Sequence, residues 1–279
     1  MTTTSETSRL RAIEQVASDV LTAHEVRSLP VDLAAIAKAE GIALLPGDYD
    51  GCFDGRIEYR RKPEGGSFYL FHAGAQSGVR TPGRVRFSIG HELGHYFLPE
   101  HRDFLLSGQW HGSHSDFVSS KLMEREADAF ASCLLMPEKV FTAEVAKRSG
   151  RVCSLQELAA LAERPFGTAV TSTALRYATL CYEACAVVLS RKDQVLYSVA
   201  SEDMRLRGLG WIPAETRVPP TTASARVGTE GAADHAEAEV DAEVWLGKRR
   251  GTALWEDALR LGRTGLVLTL LAALDDADD

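Results

Sequence analysis

A chain of 279 residues is about two domains' worth at roughly 150 residues each. Its 45% hydrophobic and 25% charged residues are globular usage, which excludes a disordered or membrane-embedded protein. Acids outnumber bases by 39 to 31, and the net charge of −8 disfavours nucleic acid as a direct partner.

The five cysteines, Cys52, Cys133, Cys153, Cys181 and Cys185, form an odd set without a C-x-x-C pair, as in a reduced protein. The first nine residues are polar, with no apolar signal core, and the apolar run 266–274 is too short for a bilayer. The expectation is a cytoplasmic protein that does not contact membrane.

Leu10, Ile13, Val16, Val20 and Leu21 recur at helical spacing and predict a helix over 9–24. A short helix follows over 31–39, ended by Gly41. Residues 42–45, 52–59 and 67–72 read as strands between Gly- and Pro-bearing turns. Pro82 opens a helix carrying Val85, Ile89, Leu93 and Phe97 on its apolar side, and Pro99 stops it. A loop rich in Gly, Ser and His covers 107–120; 122–136 is helical again, and Pro137 starts the next helix, to Arg148. Ser154 and Glu157 have capping-box spacing before an Ala/Leu helix, with 171–181 as its partner. Strands are predicted over 184–190, 195–200, 240–246 and 266–271, with long loops through 213–239. The change of texture places a boundary near 182.

The chemistry gathers between residues 91 and 128. His91-Glu92-Leu93-Gly94-His95 is an H-E-x-x-H on the predicted helix, so both imidazoles share one face and can hold one metal ion. Glu92 lies about 100° round the wheel, placed to take a proton from an activated water. Imidazole donors suit zinc, and catalytic zinc sites use three protein ligands. Two third ligands are available. His101 has metzincin spacing, but that arrangement turns at a glycine where this chain has Leu98 and Pro99. Glu124 is preferred: Asp128, one helical turn on, could hold the free N–H of a ligating histidine. Glu126 points about 200° away from Glu124 and reads as solvated or salt-bridged. For the oxyanion, His111, His114 and Tyr96 are the nearby donors, with His114 preferred because its loop joins the two metal-binding helices. The strand over 67–72 could be the sheet edge along which an extended substrate pairs, or equally an ordinary edge or interior strand.

The string His91-Glu-Leu-Gly-His95, then Glu124-x-Glu126-Ala-Asp128-x-Phe130-Ala131 and Leu134-Leu135-Met136-Pro137, resembles the ImmA/IrrE family of metallopeptidases over residues 10–150. The resemblance implies His91, His95 and Glu124 as zinc ligands and Glu92 as general base. It also implies an intracellular enzyme whose partner is a helix-turn-helix repressor encoded nearby, cleaved or inactivated to release stress or mobile-element genes. The expected fold class is α+β. A zincin-like metallopeptidase domain covers 1–150, a helix-turn-helix-like segment packed on it covers 151–182, and a C-terminal α+β module with a sensory or partner-binding role covers 183–279.

Other readings are weaker. A regulatory protein that binds a repressor or a toxin-antitoxin partner without hydrolysis would have no use for Glu92. A DNA-binding regulator would read bases with a second helix that lacks Asn, Gln and Lys. Cys181 and Cys185 could share a face as a second metal pair, yet no His or further Cys stands beside them. The acidic run 275–279 lacks the glycine and distal Glu of a calcium loop.

Overall fold

Two units divide the chain: 1–138 with 162–169, and 139–161 with 170–279. The computed structural model describes residues 4–49, 52–74, 81–108, 111–113, 122–148, 152–181, 183–210, 212–247 and 251–274. The fold is α+β, as the sequence predicts. Among the described residues no helix is long and apolar enough to cross a membrane.

The first unit opens with α1 (Thr4–Ala23), which buries Ile13, Ala17 and Val20, a stripe at three- and four-residue spacing. In α2 (Leu33–Ala39) the Asp32 carboxylate accepts from the Ala35 N–H at 3.0 Å and starts the helix. Strands β1 (Ala43–Gly47), β2 (Gly55–Lys62) and β3 (Gly65–Ala73) follow. Next come α3 (Pro82–Phe97), α4 (Pro99–Leu106), the short β4 (His111–Ser113) and α5 (Leu122–Leu135). The sheet order is β1-β3-β2-β4, with β1 parallel to β3 and the other pairs antiparallel. Of the two readings of the strand over 67–72, the structure gives the interior one: β3 pairs with β1 on one side and β2 on the other, and among the described residues the edges are β1 and β4.

Thr81 caps α3, its hydroxyl accepting from the Arg84 N–H at 3.3 Å, and Pro82 occupies the first turn, where no N–H is needed. At the other end Leu98 is extended (φ −76°, ψ 121°), and Pro99, lacking an N–H, cannot continue the ladder. The chain bends there and restarts at once as α4, a helix that the stop signal alone does not reveal. Helix α3 packs beneath β2 and β3 and against α5, which also packs on α1.

Pro137 separates α5 from α6 (Glu138–Ala146). In the second unit, α7 (Leu155–Leu161) and α8 (Val170–Leu180) precede the hairpin of β5 (Cys185–Arg191) and β6 (Gln194–Ala200). Then come α9 (Glu202–Leu206), α10 (Ala223–Gly228), β7 (His235–Asp241), α11 (Ala242–Leu246), β8 (Ala253–Arg260) and β9 (Leu266–Ala273). The antiparallel sheet runs β6-β5-β9-β8-β7. Nearly every residue of β5 and β9 is buried, so these strands read as continuous apolar runs. Helix α7 packs on β8, and α8 packs on β5 and β6.

Adjacent residues of β8 point to opposite faces of this sheet, and the pair Glu256-Asp257 uses both. Glu256 accepts from the Ala223 N–H (3.0 Å), the Ser224 N–H (2.9 Å) and the Ser224 hydroxyl (2.6 Å), closing the start of α10. Asp257 accepts from the Leu155 N–H at 2.7 Å, closing the start of α7. Both carboxylates are fully buried. Two charged residues mid-strand mask β8 in the sequence, and the long loops expected over 213–239 hold α10 and most of β7. In the structure β7 ends at Asp241, whose carboxylate accepts from the Glu243 N–H at 2.8 Å and begins α11; the strand expected over 240–246 is mostly helix for that reason.

Candidate metal centre

The site rests on two helices that cross closely. A Cβ at Gly94 would meet Ala127 Cα at 3.2 Å and Phe130 Cδ1 at 3.2 Å, so a glycine facing an alanine lets α3 and α5 approach. That approach carries Glu124 to the histidines. Glu124 oxygens lie 3.5 Å from His91 Nε2 and 3.5 Å from His95 Nε2, and the two Nε2 atoms are 3.1 Å apart. A tetrahedral zinc with bonds near 2.0–2.2 Å holds its ligand atoms about 3.3–3.6 Å apart; both Glu124 distances match this and the Nε2 pair is slightly closer, so this donor set fits zinc.

The hydrogen bonds behind the ligands add a second argument for fit. Asp128 Oδ1 is 2.8 Å from His91 Nδ1, so that nitrogen donates and Nε2 presents its lone pair inward. His95 is arranged alike, with Nδ1 3.1 Å from His101 Nδ1. Two inward lone pairs beside carboxylates attract a cation. Burial works against a charge on His91, yet its hydrogen bonds to Asp128 and Glu124 push its pKa up to about 10; a proton and a metal ion compete for this place.

His101, the alternative third ligand, takes another position. The bend at Leu98-Pro99 folds α4 back so that His101 meets the outer nitrogen of His95, not the inner one. Its own Nε2 is 3.0 Å from Glu126 Oε2. Glu126 is salt-bridged to Arg9, accepting from Nε and Nη2 at 2.8 Å each, and is 6% exposed rather than solvated. Arg9 also contacts Glu100 at 3.1 Å. The Arg9 guanidinium holds the Glu126 carboxyl below the usual range, and burial pushes the His101 imidazole down.

Glu92 is fully buried on α3, and Gly55 at the start of β2 lies over its side chain. Of the oxyanion candidates, Tyr96 is turned elsewhere: its hydroxyl donates to Glu40 Oε2 at 2.9 Å, and Arg102 stacks on its ring at 4.3 Å. His111 enters as a β4 residue paired with Ile57. His114 lies outside the described residues, as does the acidic run 275–279. The Cys181 and Cys185 sulfurs are 3.2 Å apart, with no third donor joining them among the described residues. One further cluster, His235, Glu237 and Asp257, has its oxygens engaged by the Leu155 N–H, the Trp255 indole and His235 itself.

Residues 79–169 match the model of the peptidase M78 family, described as the IrrE N-terminal-like domain. This segment is similar to the M78 metallopeptidases. No curated protein matches the chain. The M78 match contains His91, Glu92, His95, Glu124 and Asp128, whereas Arg9 and Gly55 lie outside it. Those two supporting residues have no local signal: their roles follow from α1 packing on α5 and from β2 crossing α3.

Proposed function

We propose that this protein is a zinc-dependent, cytoplasmic endopeptidase that cleaves a partner helix-turn-helix repressor and so releases stress or mobile-element genes. The observation that carries the enzymatic reading is the convergence of His91, His95 and Glu124 beside the buried Glu92. His91, His95 and Glu124 would hold the ion, with Asp128 orienting His91. Bound there, zinc supplies Lewis acidity and lowers the pKa of water towards neutrality. Glu92 takes the proton from the attacking water and passes it to the departing amine. Its place next to the ligands on α3, under Gly55, keeps bulk water from competing for that proton. His114 remains the proposed oxyanion donor. The net charge of −8 suits a basic DNA-binding partner, and the complex should weaken as salt is raised.

The test is to incubate the purified protein and zinc with the helix-turn-helix protein encoded beside it. Fragments should form, Glu92→Gln should retain about one zinc without cutting, and Glu124→Ala should lose the metal. Undiminished cutting by Glu92→Gln removes the mechanism; an intact partner removes the substrate.

A further inference from the structure

The two histidines are backed differently. His91 Nδ1 meets a carboxylate directly, on the half-exposed Asp128. His95 Nδ1 meets a second imidazole, and the carboxylate comes one step later, buried and paired with Arg9. We propose that Arg9, Glu126 and His101 form a positioning relay that fixes the tautomer of His95 and thereby tunes the metal affinity of the site.

Each link dictates the next. Arg9 has only donors, so it holds Glu126 as a carboxylate, which has only acceptors. His101 Nε2, 3.0 Å from that carboxylate, therefore carries the hydrogen, and its Nδ1 is left with a lone pair. His95 Nδ1, 3.1 Å away, must then donate, which leaves His95 Nε2 bare and facing His91 Nε2 and Glu124. The opposite tautomer would put a hydrogen on the nitrogen that must bind metal. Placing an imidazole between His95 and Glu126 also moves a negative charge one ring farther from a cluster that already holds Glu124, Asp128 and Glu92. Such outer partners typically change metal affinity by about 10–100-fold.

The relay stands on hydrogen bonds within the chain, and only its effect on affinity rests on the metallopeptidase reading. Two measurements on the full-length chain separate them. The first is the ¹⁵N–¹H spectrum of the histidine rings in chelator-treated protein at a pH where His95 is neutral. His95 should be the Nδ1–H tautomer and His101 the Nε2–H tautomer, and His101→Leu should shift His95 towards Nε2–H. The second is a zinc competition titration. His101→Leu should bind about 10–100-fold more weakly than the native chain. His101→Gln, whose amide can accept from His95 and donate to Glu126, should recover most of the loss. Arg9→Met should show a smaller loss and serves if His101→Leu does not fold. An Nε2–H tautomer at His95 in the native chain, or equal affinities in all of these proteins, overturns the relay. Correct tautomers in a chain that binds no zinc would keep the relay's geometry and overturn the zinc reading together with the tuning. Tight zinc binding indifferent to residues 9 and 101 would do the reverse.

Discussion

Gly55 of β2 lies directly over the side chain of Glu92 of α3: a Cβ at position 55 would stand 2.9 Å from Glu92 Cγ and 2.9 Å from Oε1. The strand thus leaves room for a buried carboxylate, and any larger residue must move it. Gly55→Ala should leave metal content unchanged while peptidase turnover falls by on the order of 10–100-fold, since misplacing a reacting group by about 1 Å can cost that much. Metal analysis beside a turnover assay checks both halves. Unchanged turnover would show that Glu92 adapts, or is not the base.

Asp128 should matter through His91 alone. Asp128→Asn keeps an acceptor for the imidazole N–H but removes the charge, and zinc affinity should drop by about 10–100-fold with the ligands intact. A competition titration against a chelator of known strength measures it. An Asp128→Asn chain with native affinity would reduce Asp128 to a surface contact.

His72, on β3, is buried, with Nδ1 3.3 Å from the Ala73 carbonyl, and burial lowers its pKa from the usual 6.5. The stability it contributes is fully present above the unfolded value of about 6.5. As pH falls below that, the unfolded chain takes up a proton that the folded chain resists, and stability is lost until the lower folded value is reached. On going from pH 7.5 to 5.5 the urea midpoint of His72→Gln should therefore shift towards higher stability relative to the shift of the native chain, whatever the other histidines contribute. Equal shifts in the two chains would show that His72 protonates freely in place.

Glu256 should be costly to remove. Glu256→Leu strips acceptors from two backbone N–H groups at the start of α10 and from the Ser224 hydroxyl, for a loss on the order of 3 kcal/mol or more. Asp257→Asn keeps an acceptor for the Leu155 N–H and should cost less. Chemical denaturation of the two variants ranks them, and the reverse order would contradict the capping account.

What could be read in the sequence was local and periodic. His91 and His95 are four apart, as are Glu124 and Asp128, and helical geometry alone puts each pair on one face. The missing glycine at Leu98 argued against His101 as a ligand, and the structure places that ring on the outer nitrogen of His95. Tertiary relations were hidden. Arg9 is one basic residue among many until α1 docks on α5, and Gly55 is one turn-like glycine among 23 until β2 crosses Glu92. Helical geometry turns Glu126 away from Glu124, but nothing local shows that the other side holds a buried ion pair with Arg9. Strand β8 is not legible because Glu256 and Asp257, whose carboxylates close the starts of two helices, look like surface charge.

The order β6-β5-β9-β8-β7 has a consequence for how this unit is made. Among the described residues, the sheet joins the pairs β5–β6 and β7–β8 through β9, which is synthesised after both. Until β9 leaves the ribosome, β5 and β8 each keep an open edge, and the apolar faces of β5 have no neighbour on that side. A ribosome stalled before Leu266 would hold two sticky half-sheets, so this unit should need chaperone cover during synthesis and should close in a single late step.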